Sequence, residues 1–190
     1  MKGIMVLLVL CLPTRADWVP WNFDLHTCPP GWSAEDWIFT DEGAICSFEA
    51  PGPGGEWEEG ILSSPSAAIE VPAGCDSVVL DIDQEFSCCL PGPFDYACTY
   101  ILYSLSGGEW TSFYSTMSNW SESFSTPVHQ VVPAIPGETL GLRFVMLLYT
   151  GWSQPGTRSA DWCLENLVLT FYGDGLALQQ LTWGEIKAMQ

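Results

Sequence analysis

The chain has 190 residues, 23 of them acidic and 5 basic, for a formal charge of −18. That balance excludes nucleic acid and anionic lipid as partners, because both are gripped by clustered Lys and Arg. With 47% hydrophobic and 13% aromatic residues, the chain is not a disordered acidic one, and one ordinary domain can bury a full core.

Residues 1–16 read as a secretory signal peptide. Met1-Lys2 is a short basic start, residues 4–12 are apolar, and Ala16 supplies a small residue for cleavage. The apolar stretch is too short to span a bilayer, and no later segment is long and apolar enough to insert. The expectation is a secreted protein, extracellular or at the cell surface, with a domain over residues 17–174. Lys2 and Arg15 leave with the leader, so three basic residues then face the 23 acidic ones.

From there the chain reads as strands and turns. In residues 77–86, Val78, Leu80, Ile82 and Phe86 share one face, while Asp81, Asp83 and Glu85 share the other. Residues 100–105 and 110–115 form two strands around the turn Ser106-Gly107-Gly108-Glu109. Leu140, Leu142, Phe144, Met146 and Leu148 make the longest alternating run, and residues 164–172 close the core. Proline and glycine punctuate the rest, at 51–55, 91–93 and 135–137. This spacing predicts an all-β, two-sheet antiparallel sandwich. Residues 175–190 read as a linker and an amphipathic tail, with a short helix capped at Thr182 through Glu185.

Within the last strand, both Leu164 and Leu167 should face the core, a step of three where a regular strand allows two. A β-bulge at Glu165-Asn166 supplies the extra residue and should turn polar groups toward the first strand. Calcium favours carboxylate and carbonyl oxygens. In a sandwich whose first and last strands are neighbours, the oxygen ligands of Asn22-Phe23-Asp24 and Glu165-Asn166 could meet.

Seven cysteines follow the leader: Cys28, Cys46, Cys75, Cys88, Cys89, Cys98 and Cys163. In an exported protein the default reading is disulfides. Cys88 or Cys89 could pair with Cys98, and Cys28 with Cys46, with one thiol left over. Vicinal Cys88 and Cys89 point to opposite faces on a strand.

Catalytic signals are weak. His26 and His129 lie far apart in sequence, there is no GxSxG elbow, and Glu56, Glu58 and Glu59 around Trp57 read as a solvated acidic loop before they read as a hydrolase pair. The ten tryptophans say more. Trp110, Tyr114 and Trp120 cluster around one hairpin, and Trp152 sits by another turn near Tyr149. Exposed flat rings stack on the apolar faces of sugars, so these four are the ligand-binding candidates.

The order of features resembles the MAM-like and cleaved-adhesin jelly-roll domains of secreted bacterial proteins. Phe23-Asp24 is followed by Pro30-Gly31-Trp32, Ser64-Pro65, then VVLDIDQEF, YSLSGGEW, GETLGLRFVM and WCLENLVLTF. The resemblance covers about residues 22–172. It implies a concanavalin-like or galactose-binding-like jelly roll, non-catalytic, that binds glycans or extracellular proteins. It also implies a structural calcium ion near the junction of first and last strands, at Asp24 and Glu165, although Asp is usual where Glu165 stands. The expectation is a secreted binding or adhesion module for glycans or cell-surface components. The alternative is an assembly component of an extracellular layer without a ligand of its own, docked through the Trp183 tail.

Overall fold

The computed structural model of the chain describes residues 17–52, 54–65, 69–132, 135–152 and 155–173. Among them are thirteen strands and no helix. The first five are β1 (Asp17–Phe23), β2 (Ser33–Glu35), β3 (Trp37–Thr40), β4 (Gly43–Gly52) and β5 (Trp57–Ser63). Next come β6 (Ile69–Glu70), β7 (Ser77–Cys89), β8 (Tyr96–Leu105) and β9 (Thr111–Ser118). The series closes with β10 (Glu122–Ser125), β11 (Val128–Val132), β12 (Thr139–Tyr149) and β13 (Gly156–Gly173). The expected terminal helix and tail lie outside the described residues.

The strands form two antiparallel sheets, as a β-sandwich requires. In the seven-stranded sheet β13 is the spine. It pairs along one edge with β7, and along the other with β4 over its first half and β1 over its second. In the six-stranded sheet β12 runs between β5 and β8, with β9 and β2 outermost. Period-two alternation decides which side chains meet between the sheets. Val78, Leu80, Ile82 and Phe86 of β7 are buried there, and so are Leu140, Leu142, Phe144, Met146 and Leu148 of β12. Both sets are those expected from the sequence.

The turn after β8 explains itself. Ser106 and Gly107 both have positive φ (48° and 73°), and the Gly108 N–H donates to the Leu105 carbonyl. Two consecutive left-handed residues match the twist of the flanking strands.

The bulge in β13 is present. Glu165 is opposite Asp83 and Val168 opposite Asp81, so three steps on β13 match two on β7. Leu164, Leu167, Leu169 and Phe171 are all buried. Asn166 absorbs the extra residue at φ 48°, a conformation Asn tolerates better than most side chains. The direction of its polar group differs from expectation. The Asn166 amide donates to the Asp83 carboxylate on β7 at 2.9 Å, away from β1.

One inward position of β7 is polar. Gln84 is buried, accepts from the Trp162 indole N–H at 3.0 Å and donates to the Tyr114 hydroxyl at 2.7 Å. Trp162 is on β13 and Tyr114 on β9, so the amide ties one sheet to the other. Gln84→Leu removes both partners at once. Each orphaned group costs about 1–3 kcal/mol, so the urea midpoint falls while the slope of the transition is unchanged.

Candidate functional site: an aromatic cleft on the outer face

Because Leu148 of β12 points inward, Tyr149 must point out. Its cross-strand neighbours are Trp57 of β5 and Tyr96 of β8. The three residues stand side by side on the outer face of the six-stranded sheet, and their rings tilt onto one another in a triangular cluster. Their centroids are 4.9 Å apart for Trp57–Tyr149, 5.3 Å for Trp57–Tyr96 and 4.9 Å for Tyr96–Tyr149. Beside the cluster, the 91–95 loop brings Phe94, the turn after β12 brings Trp152, and β9 brings Met117. Together they line an open cleft of about 730 Å³. Trp57, Phe94 and Trp152 are 54%, 67% and 73% exposed. Burial, followed by Cys98 and Tyr149, pushes the Tyr96 phenol up, so its ring is neutral at neutral pH.

A buried ion pair holds the two loops in place. Asp95 and Arg158 are both fully buried, with the Arg158 Nε 3.0 Å from Asp95 Oδ2. The same Oδ2 accepts the Gly92 N–H at 2.7 Å, and Oδ1 accepts the Gly151 N–H at 2.7 Å. Gly92 and Gly151 directly precede Pro93 and Trp152, so one carboxylate positions both walls. Arg158 also donates to the Gly156 carbonyl. Two glycines let the walls close up. A Cβ at Gly151 would lie 2.8 Å from Phe94 Cβ, and one at Gly55 (φ 65°) would run into the Trp152 indole nitrogen. A backbone–side-chain clamp between Glu56 and Thr150 joins the start of β5 to the end of β12.

No family model matches the chain, and no curated protein matches it significantly. Among solved structures, a chain in the structure of infectious bursal disease virus Gx strain is similar to it. The match covers 90% of this chain and 37% of the viral one, at 13% identity and a TM-score of 0.42. The chain therefore spans little more than a third of that viral chain. At this level the likeness carries no argument about function.

Of the four aromatic residues singled out in the sequence, Trp152 lines the cleft. Trp120 is exposed on the turn between β9 and β10, where its N–H donates to Glu122, and it is not part of the lining. Trp110 is half-buried, with the Arg143 guanidinium 4.1 Å from its ring centroid. Tyr114 is paired with inward-facing Ile101, packs on the core and spends its hydroxyl on Gln84. Trp57, Tyr96, Tyr149 and Phe94 complete the cleft and were not among the four. The one legible signal was Tyr149, which sits out of phase with the apolar run before it.

The metal candidates stand apart from the cleft. Asp24 follows β1 and is exposed; its Oδ1 takes the His26 backbone N–H at 3.0 Å and lies 2.9 Å from His26 Nδ1. The backbone N–H of His26, then its side chain, holds the Asp24 carboxyl below its ordinary value. Glu165 begins the bulge, opposite Asp83. Among the described residues no group of three or more His, Cys, Asp or Glu side chains gathers as a metal site. The binding reading below uses no metal.

All seven described cysteines are free thiols, so neither expected pairing is formed. Cys46 is buried, and its sulfur faces Gly60 across the sandwich, while Cys28 is exposed. Cys88 and Cys89 lie on β7 of one sheet and Cys98 on β8 of the other, on the outer side with Tyr96. Cys88 is buried and Cys89 exposed, the opposite orientation expected of neighbours on a strand.

Burial, then Asp36 and Asp161, pushes the Cys46 thiol up to about 12. Burial, then Glu165, Glu85 and Glu42, pushes Cys163 up to about 11. Both shifts are upward from 9.0, so the protonated thiols support the fold fully below pH 9.0 and lose that contribution as pH climbs through about 11 to 12. Thiolate is the reactive form. Alkylation of the native protein near neutral pH should therefore label Cys28 and Cys89 fast and the other five described cysteines only on unfolding, as read by peptide mass mapping.

Proposed function

We propose that this chain is a secreted, non-catalytic binding module of jelly-roll type, whose outer aromatic cleft stacks on the apolar face of a glycan. The observation that carries the reading is the cluster of exposed Trp57 with half-buried Tyr149 and Tyr96, faced by the exposed rings of Phe94 and Trp152 across an open cleft. A concave site rich in rings and poor in polar groups suits a flat ligand with an apolar face. The MAM-like resemblance adds support through the order of its motifs in the sequence, from Phe23-Asp24 to the closing WCLENLVLTF.

The absence of catalysis in this reading rests on the walls. Glu56, Glu58 and Glu59 are exposed in sequence around Trp57, and none of them lines the cleft. Among the lining residues the only carboxylate is Asp95, which is fully buried and hydrogen-bonded through both oxygens. A glycosidase needs two available carboxylates facing across the bond it cuts.

A glycan array, followed by titration of the hits against tryptophan fluorescence, tests the proposal. Binding that perturbs the indole emission is expected. A blank array and flat titrations would overturn it and leave the assembly role as the working alternative.

A further inference from the structure

We propose that Asn119 is the specificity-determining residue of the cleft, and that the ligand it reads is an uncharged glycan. This rests on the stacking reading above and narrows it. Strand register places the residue. Trp57, Tyr149 and Tyr96 stand opposite one another on β5, β12 and β8, and β9 follows β8 with Ser118 opposite Ala97. One antiparallel step past that pair brings Asn119 level with Tyr96, and both line the cleft. The outer line across the sheet therefore carries three aromatic residues and ends in a carboxamide. At the usual strand spacing it measures about 14 Å, longer than a single sugar ring and suited to an oligosaccharide.

The turn that carries Asn119 is braced on both sides. The Ser118 hydroxyl and the Trp120 indole N–H both donate to the Glu122 carboxylate, and the Ser121 hydroxyl accepts the Leu90 N–H at 2.9 Å. Asn119 itself is exposed, and among the described residues no protein group holds its carboxamide. A donor and acceptor presented on a fixed turn loses little freedom on binding. Usable charge, by contrast, is missing from the lining. Its one carboxylate, Asp95, is fully buried against Arg158 with both oxygens taken, and Arg143 lies over Trp110. A sugar carboxylate or sulfate would leave water here without a counter-charge, on a chain of formal charge −18. Hydroxyl and acetamido groups are neutral, and the Asn119 carboxamide offers them two donors and an acceptor.

The test titrates equal-length β-linked oligomers of glucose, N-acetylglucosamine and glucuronate by tryptophan fluorescence. The protein is compared with Asn119→Ala and Asn119→Asp. A neutral oligomer should bind about tenfold or more tighter than the glucuronate one. Asn119→Ala should weaken that neutral oligomer about five- to tenfold, with the melting temperature unchanged because the side chain is exposed. Asn119→Asp keeps the shape but removes the donors, and should lose as much. Tightest binding of the glucuronate oligomer, or unchanged neutral binding in Asn119→Ala, would overturn this inference while leaving stacking intact. Failure of all three oligomers to bind would overturn the stacking reading beneath it.

Discussion

Asp95→Ala should destabilise the domain by about 3–5 kcal/mol, the cost of leaving a buried charge without its partner. The substitution strands the fully buried Arg158 guanidinium and releases the Gly92 and Gly151 N–H groups together. For a domain of this size the melting temperature should drop by roughly 10 °C. Arg158→Met should cost a similar amount, since it leaves Asp95 as the stranded charge. The double variant Asp95→Leu/Arg158→Met should recover much of the loss, because apolar groups of similar volume need no counter-charge. Urea unfolding of the three variants completes the thermodynamic cycle. Additive losses in the double variant would mean that the two side chains act independently.

The second large effect is on binding. Trp57→Ala and Trp152→Ala should each weaken the glycan ligand by about tenfold or more, about 1.4 kcal/mol, with little change in stability because both indoles are mostly exposed. Trp120→Ala is the matched control. Trp120 is as exposed as Trp57, yet it lies outside the cleft, so affinity should not change. Loss of affinity in Trp120→Ala with none in Trp57→Ala would move the site to the turn between β9 and β10. Gly55→Ala should mimic Trp152→Ala in part, since the added methyl displaces the indole packed against that backbone.

Much of the fold was legible because one-sided burial writes itself as alternation. The inward sets of β7 and β12 follow from that rule alone, and the bulge at Glu165-Asn166 follows from its failure between Leu164 and Leu167. What stayed hidden depended on partners distant in sequence. β13 starts at Gly156, well before the expected Leu164, because Asp95 neutralises Arg158 and lets a charged residue enter the interior. The scarcity of cations was a usable clue, since each one in the domain serves a structural contact. The cleft was harder to see. Trp57, Tyr96 and Tyr149 come from three strands and become a cluster only once register is set. Tyr114 shows the opposite error: proximity to Trp110 and Trp120 in sequence suggested a surface cluster, but its strand position turns it inward.

The placement of β13 has a consequence for how the molecule is made. β13, the last of the described strands, lies between β7 on one side and β4 and β1 on the other, with Asp17 of β1 opposite Gly173. A polypeptide that emerges N-terminus first therefore displays the open edges of β7, β4 and β1 until β13 arrives. Such non-local closure is slow, and open edges invite pairing with other chains. The chaperone demand of this protein should thus be concentrated in the interval before β13 is released.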